Sequence, residues 1–151
     1  MMEEKEKAWK TVSSKYLFRR PWLTVRCEDM LLPNGNHIPE YYILEYPDWV
    51  NTIAITKDGK FVFVRQYRPG LGRTSYELCA GVCDKEDASP LVSAQRELWE
   101  ETGYGKGNWQ EYMVISANPS THTNLTHCFL ATDVEPIDHQ HLEDTEDLSV
   151  H

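Results

Sequence analysis

The chain has 151 residues, 40% of them hydrophobic, and a formal net charge of −9. That length can bury a full core within one domain. The acidic balance argues against a nucleic-acid backbone or an anionic membrane as partner, because both need basic patches. It also means that a polyanionic substrate needs metal ions to offset local repulsion.

The pattern in chain order is strand-rich with one well-marked helix. Three stretches read as strands: Tyr16 to Phe18, Trp22 to Leu32 and Glu40 to Tyr46. Pro33-Asn34-Gly35-Asn36 is a turn signal between the last two. Val50 to Thr56 and Phe61 to Tyr67 read as a hairpin across Lys57-Asp58-Gly59-Lys60. A further strand, Thr74 to Leu78, runs into a loop. A helix then starts at the N-cap Ser89 with Pro90 at N1, and stops at Gly103 in the C′ position. Leu91, Ala94, Leu98 and the Thr102 methyl give it an apolar stripe of helical period. Trp109 to Ile115 and Leu125 to Ala131 read as strands, and Glu135 to Asp147 as an acidic loop. Strands, one helix and strands again predict an α+β or α/β layer arrangement, α+β being the leading reading. No internal repeat or low-complexity tract is present, and the whole chain, 1–151, reads as a single domain.

No apolar run spans a membrane. The start, Met-Met-Glu-Glu-Lys-Glu-Lys, carries no apolar signal core, so a cytoplasmic setting is expected. Cys27, Cys79, Cys83 and Cys128 are then expected as free thiols. Zinc is a weaker reading, since Cys79 and Cys83 have no second such pair.

The chemistry concentrates in Arg96-Glu97-Leu98-Trp99-Glu100-Glu101-Thr102-Gly103-Tyr104. Three- and four-residue spacings bring Glu97, Glu100 and Glu101 to neighbouring positions on one helix face, where like charges repel. Glu-rich faces are commonly only solvated, and that bland reading applies to any lone Glu-x-x-Glu-Glu. Here the carboxylates flank a buried stripe on a capped helix and lie over the preceding loop. Hard oxygen ligands so grouped suit Mg²⁺ or Mn²⁺.

Read together with the loop from Glu77 to Asp87, this helix resembles the Nudix box, G-x5-E-x7-R-E-U-x-E-E-x-G-U, where U is bulky and apolar. Gly81 is the opening glycine, and Arg96 to Tyr104 fit the second half without a gap. The first half departs. Asp87 stands where the motif has Glu, and eight residues rather than seven separate it from Arg96. A one-residue insertion near Ala88-Ser89, at a loop-to-helix junction, explains the offset. Val64-Arg65-Gln66-Tyr67-Arg68-Pro69, followed by Glu77-Leu78-Cys79-Ala80-Gly81, is similar to the ADP-ribose and nucleoside-diphosphate-sugar pyrophosphatase branch. Pro119, 15 positions past Tyr104 (119 − 104), agrees with the ADP-ribose group.

The resemblance implies a Nudix α/β/α sandwich with a mixed β-sheet. It divides the chain into an N-terminal β-strand arm, 1–46, that forms a homodimer, and a catalytic core, 47–151. It implies Mg²⁺-dependent hydrolysis, Mn²⁺ also being suitable. The pyrophosphate bond of ADP-ribose or a related nucleotide sugar is cut to a nucleoside monophosphate and a sugar phosphate. Glu97, Glu100, Glu101 and the Ala80 carbonyl are the implied metal ligands. Arg96 is expected to hold the helix against the loop through a carboxylate, or to be an ordinary exposed partner of Glu100.

Arg68 and Glu77 are carried over as substrate contacts, to a phosphate and to a ribose or metal, against the alternative of solvated strand ends. Arg65, alternating with Phe61 and Phe63, reads as a structural ion-pair member. Glu143 and Glu146 are the candidates for general base, beside Asp144, in a tail that also reads as merely solvating. Trp22 is the candidate to stack on the base, ahead of Tyr41, Trp49 and Trp99. His122 is a possible acid, base or ribose contact in a loop that departs from the family's usual Gly and Glu; an exposed loop histidine is the alternative. The chain stops at His151 inside an expected strand, where relatives continue into a covering helix. A GDP- or UDP-sugar substrate, or a non-hydrolysing nucleotide-sensing domain, are the alternatives to the ADP-ribose reading.

Overall fold

The computed structural model describes residues 7–151. They form twelve strands and one helix in two compact units, residues 7–46 with 116–124, and 47–115 with 125–151.

The first unit is an antiparallel meander of β1 (Lys10–Arg20), β2 (Leu23–Leu31) and β3 (His37–Glu45). β1 is far longer than the expected Tyr16 to Phe18. Its exposed, mostly polar first half has no alternating apolar signal, and its pairing with β2 from Lys10 to Arg20 is what makes it a strand. Cys27 and Glu28 are buried in β2, and Glu28 accepts from Arg26 Nε (2.7 Å) and the Thr11 hydroxyl (3.2 Å). The segment 116–124 joins this unit through Leu44, whose N–H donates to the Thr121 carbonyl and whose carbonyl accepts from the Thr123 N–H.

The second unit carries a mixed sheet. β4 (Trp49–Thr56) lies between β11 (Thr126–Pro136), to which it is parallel, and the antiparallel strands β5 (Phe61–Val62) and β8 (Cys79–Val82). β10 (Asn108–Ile115) and β9 (Tyr104–Gly105) pair antiparallel with β11. A separate antiparallel ladder contains β6 (Val64–Arg68) between β7 (Arg73–Glu77) and β12 (Leu148–Val150).

The expected turn at Lys57 to Lys60 forms, with Gly59 at φ 79°. The expected single strand Phe61 to Tyr67 does not. The chain changes sheets at Phe63, which exchanges both backbone hydrogen bonds with His151. Arg65 consequently faces the Tyr76 ring (5.9 Å to its centroid) and has no ion pair among the described residues, contrary to the expected structural pair.

Helix α1 (Pro90–Thr102) begins and ends where its caps place it. Ser89 Oγ accepts from the Val92 N–H (3.3 Å), and Gly103, at φ 73°, donates to the Trp99 carbonyl. Its buried residues are Ser93, Ala94, Leu98, Glu101 and Thr102. Leu91 is 37% exposed, so the stripe starts one residue-pair later than expected: the first turn is held by its cap rather than by core packing. Leu98 joins Ala54, Val62, Cys79, Ala131 and Val134 in one cluster, and Ala94 joins Val50 and Phe129 in another. These contacts fix α1 over β4 and β8, with its acidic edge beside β8. This is the expected α+β arrangement, a mixed sheet bearing the carboxylate helix, and α1 is the one helix among the described residues.

Candidate active site

Burying a carboxylate at a helix C-terminus opposes two preferences at once, hydration and the helix dipole. Glu101 is 4% exposed in the last turn of α1, which carries no basic residue. Burial pushes its carboxyl up from an ordinary 4.5 to about 7, with the Glu97 and Glu146 charges adding to the rise. Hydrogen bonds from the Cys79 thiol and the Ala80 N–H (3.2 Å) oppose it. Glu97 is also pushed up, first by burial and then by Glu100 and Glu146, against the pull of Arg96. Cys79 itself is fully buried, and burial beside Glu101 drives its thiol well up, so it stays a protonated donor.

Gly81 shows why the box opens with glycine. A Cβ there would lie 2.0 Å from Glu97 Cδ and within 2.3 Å of both its oxygens. The Glu97 carboxylate therefore rests directly on the β8 backbone.

Arg96 ties helix to loop. Its Nη2 donates to the Val82 carbonyl (2.9 Å), its Nε to Asp87 (3.1 Å), and its Nη1 to Glu97 and Glu100 (2.9 Å each). Asp84 adds an ion pair at 3.3 Å. Arg96 is only 24% exposed, unlike an ordinary exposed partner of Glu100, and its i,i+4 pair with Glu100 coexists with the bridge to the loop. Asp87, despite its shifted place, is its carboxylate partner. Burial alone would lower the guanidinium's pKa, but Asp87, Glu100 and Glu97 together raise it above its already high ordinary value.

Arg68 and Glu77 end the neighbouring strands β6 and β7 and pair with each other. Arg68 Nε lies 3.0 Å from both Glu77 oxygens and its Nη2 lies 2.6 Å from one. This pairing, with Ser75 and Gln66 also donating, holds the Glu77 carboxyl below its ordinary range. Arg68, Ala80, Gly81, Asn51 and Trp49 line a cleft of ≈ 420 Å³. A slightly larger cleft, ≈ 460 Å³, lies by the β4–β5 turn. Its lysines are already paired, Lys57 with Glu135 and Lys60 with Asp58, so the cleft beside Gly81 is the one with the chemistry.

Glu143 and Glu146 share one turn in the acidic tail, where the Glu143 N–H donates to the Glu146 carboxylate (3.0 Å). Glu146 is near enough to raise both Glu97 and Glu101. Trp22 and His122 belong to the other unit. Trp22 is 78% exposed in the β1–β2 turn. His122 packs its ring 5.2 Å from that of Tyr46 and bridges to Leu44. Two supports had no sequence signal, being non-local. Gln140 donates to the Glu101 carbonyl (2.7 Å), and the Cys79 thiol serves as the Glu101 partner.

The helix carboxylates, Gly81 and the Arg96 bridge, which in sequence resemble the Nudix box, thus come together in one place. Comparison with known proteins agrees. The nucleoside diphosphate sugar hydrolase N-terminal domain matches residues 9–44, and the NUDIX domain matches residues 46–150. The chain belongs to the Nudix family, in the branch with that N-terminal domain.

It is 32% identical over 129 residues to an ADP-ribose pyrophosphatase of Bacillus subtilis (strain 168), covering 85% of this chain and 69% of that protein. It is 33% identical over 122 residues to a methanol dehydrogenase activator of Bacillus methanolicus, covering 81% and 65%. An ADP-ribose pyrophosphatase of Mycobacterium tuberculosis is 28% identical over 132 residues, covering 87% and 63%. The chain thus spans roughly two thirds of the length of these relatives. The crystal structure of an ADP compounds hydrolase superposes with a TM-score of 0.81 at 23% identity, covering 95% of this chain and 76% of the other. At that identity the likeness supports the α+β Nudix sandwich and nothing finer. No described helix is long and apolar enough to cross a membrane.

Proposed function

We propose that this chain hydrolyses the pyrophosphate bond of ADP-ribose, or of a closely related nucleoside diphosphate sugar, with Mg²⁺ as the preferred ion and Mn²⁺ as a substitute. The products are a nucleoside monophosphate and a sugar phosphate. One observation carries the reading: a buried Glu101 and a largely buried Glu97 lie together, each with a raised pKa, and Gly81 clears the backbone under Glu97. Such a pair is costly unless a cation shares it. The donor set is entirely oxygen, which fits Mg²⁺ or Mn²⁺ and not a soft metal.

Glu97, Glu100, Glu101 and the Ala80 carbonyl would hold the ion. When bound, it neutralises phosphate charge and activates water. The remaining tasks fall to side chains. Arg96 keeps α1 in register with the loop, so that the carboxylates converge on one point. Arg68 exchanges part of its hold on Glu77 for a phosphate oxygen, and Glu77, thus released, accepts from a ribose hydroxyl. Glu146, with Glu143 as the alternative, accepts the proton of the attacking water. Trp22 and His122 are proposed as base and ribose contacts; W22A and H122A should each raise KM and leave kcat unchanged.

The free thiols fit a reducing, cytoplasmic setting. A homodimer through the N-terminal strands is supported by the exposure of Val12, Tyr16, Leu17 and Phe18 on β1. Sedimentation of the intact chain at the monomer mass would remove that dimer.

The test is a panel of ADP-ribose, GDP-mannose and UDP-glucose with and without Mg²⁺, followed by chromatography of the products. Mg²⁺-dependent AMP release, fastest with ADP-ribose, is expected. Preference for a GDP- or UDP-sugar would move the substrate, and nucleotide binding without turnover would make the chain a sensor.

A further inference from the structure

Four of the chain's six histidines stand apart from one another, but His139 and His141 share the run Asp138-His139-Gln140-His141. One ligand atom from each of Asp138, His139 and His141 lies within 4.8 Å of the others. The Asp138 carboxylate sits between the two rings, 2.7 Å from His139 Nδ1 and 3.0 Å from His141 Nε2. The ring centroids are 4.3 Å apart. Two imidazole nitrogens and one carboxylate oxygen are the donors that zinc takes in open, three-ligand sites.

The backbone beneath these side chains is fixed. The Ile137 and Asp138 N–H groups both donate to the Gly103 carbonyl (2.9 and 3.1 Å), and the His141 N–H donates to the Glu100 carbonyl (2.8 Å). A Cβ on Gly103 would lie 2.3 Å from the Asp138 carbonyl oxygen, so the loop and the helix end are seated together. The His141 ring stacks on Trp99, centroids 4.1 Å apart, which removes one ring's freedom before any ligand arrives. His139 is exposed at 79%, its ring held by Asp138 and the neighbouring His141 ring. Zinc bonds of about 2.0–2.2 Å in a tetrahedron bring the donors to roughly 3.4 Å from one another. The carboxylate–imidazole separations of 2.7 and 3.0 Å have to open by about half an ångström, while the two imidazole nitrogens, within 4.8 Å, close to that edge, and the exposed His139 ring supplies the movement.

We propose that Asp138, His139 and His141 form a binding site for a borderline transition-metal ion, Zn²⁺ in the first instance, separate from the carboxylate site on α1. The two sites sort ions by chemistry. Imidazole selects Zn²⁺, Ni²⁺ or Cu²⁺, whereas the all-oxygen site takes Mg²⁺ or Mn²⁺. Because the loop is bonded to the last turn of α1, occupancy stiffens the end of the helix that bears Glu100 and Glu101.

The test is calorimetric titration of the intact protein with ZnCl₂ in excess Mg²⁺, which keeps the oxygen site filled. One equivalent of Zn²⁺ should bind to the unmodified protein, at least about tenfold more weakly to H139A and H141A, and unchanged to the E97Q/E101Q double variant. H139A removes an exposed ring, so misfolding cannot account for its loss. Zn²⁺ should also raise the Tm of the unmodified protein and not that of H139A. Ni²⁺ should quench part of the tryptophan emission, through Trp99, and H139A should lose that quenching. Equal Zn²⁺ affinity in the unmodified protein and H139A, or no binding in the presence of Mg²⁺, would overturn the proposal. Neither result bears on the hydrolase reading, which is judged by turnover of the nucleotide panel.

Discussion

Replacing Glu101 by Gln keeps the side chain's length and an acceptor for the Ala80 N–H, removes the charge, and exchanges the other oxygen for an amide NH₂. The Glu101 carboxyl titrates at about 7 in the folded chain against 4.5 ordinarily. The native state therefore holds this proton over a range in which the unfolded chain has lost it. Stability from this group is fully present below about pH 4.5 and is lost as pH rises through about 7. That interval, at 1.36 kcal/mol per tenfold, is worth about 3 kcal/mol. Without divalent ions, E101Q should therefore be more stable than the unmodified protein by about 3 kcal/mol near pH 8. The gap should shrink to under about 1 kcal/mol near pH 5. Saturating Mg²⁺ should close it, by stabilising the unmodified protein far more than E101Q. Urea unfolding in EDTA and in Mg²⁺ at the two pH values measures all of this. An E101Q variant less stable than the unmodified protein at the higher pH without metal would refute the reasoning, as would a gap that ignores pH.

Gly81→Ala places a methyl 2.0 Å from Glu97 Cδ and should displace that carboxylate, lowering kcat about 100-fold with little change in the unfolding midpoint. R96K keeps the charge but not the fork that reaches Val82, Asp87, Glu97 and Glu100 at once. It should cost about 2 kcal/mol in urea unfolding and lower kcat. Arg68→Ala should raise KM about tenfold with a smaller change in kcat, read from initial rates over a substrate series. Leu98→Ala, emptying a fully buried position in the larger cluster, should cost about 2–5 kcal/mol by the same unfolding assay.

The helix is the most legible part of the fold, because every signal for it is local: Ser89, Pro90, the Ala94–Leu98–Thr102 stripe and Gly103 all lie within one short window. The carboxylate face is legible for the same reason. The run Cys79–Val82 reads as loop, having small residues and no clean alternation, and becomes β8 only through its ladder with β4, some thirty positions upstream in sequence. The sheet change at Phe63 is invisible because Phe61 to Tyr67 alternates as one strand would; the partner that splits it, His151, lies at the far end of the chain. Arg68 and Glu77 read as two separate substrate contacts, yet the hairpin of β6 and β7 pairs them with each other. The acidic tail reads as solvating loop, and its cluster of Asp138, His139 and His141 emerges only once the backbone folds back onto Gly103 and Glu100.

The most direct measurement of the central claim is anomalous diffraction from crystals soaked in Mn²⁺. The account predicts manganese peaks within coordination distance of Glu97 and Glu101, present in the unmodified protein and absent in E97Q/E101Q crystals. Manganese bound elsewhere with that face empty, in a protein that still turns over nucleotide sugars, would contradict it.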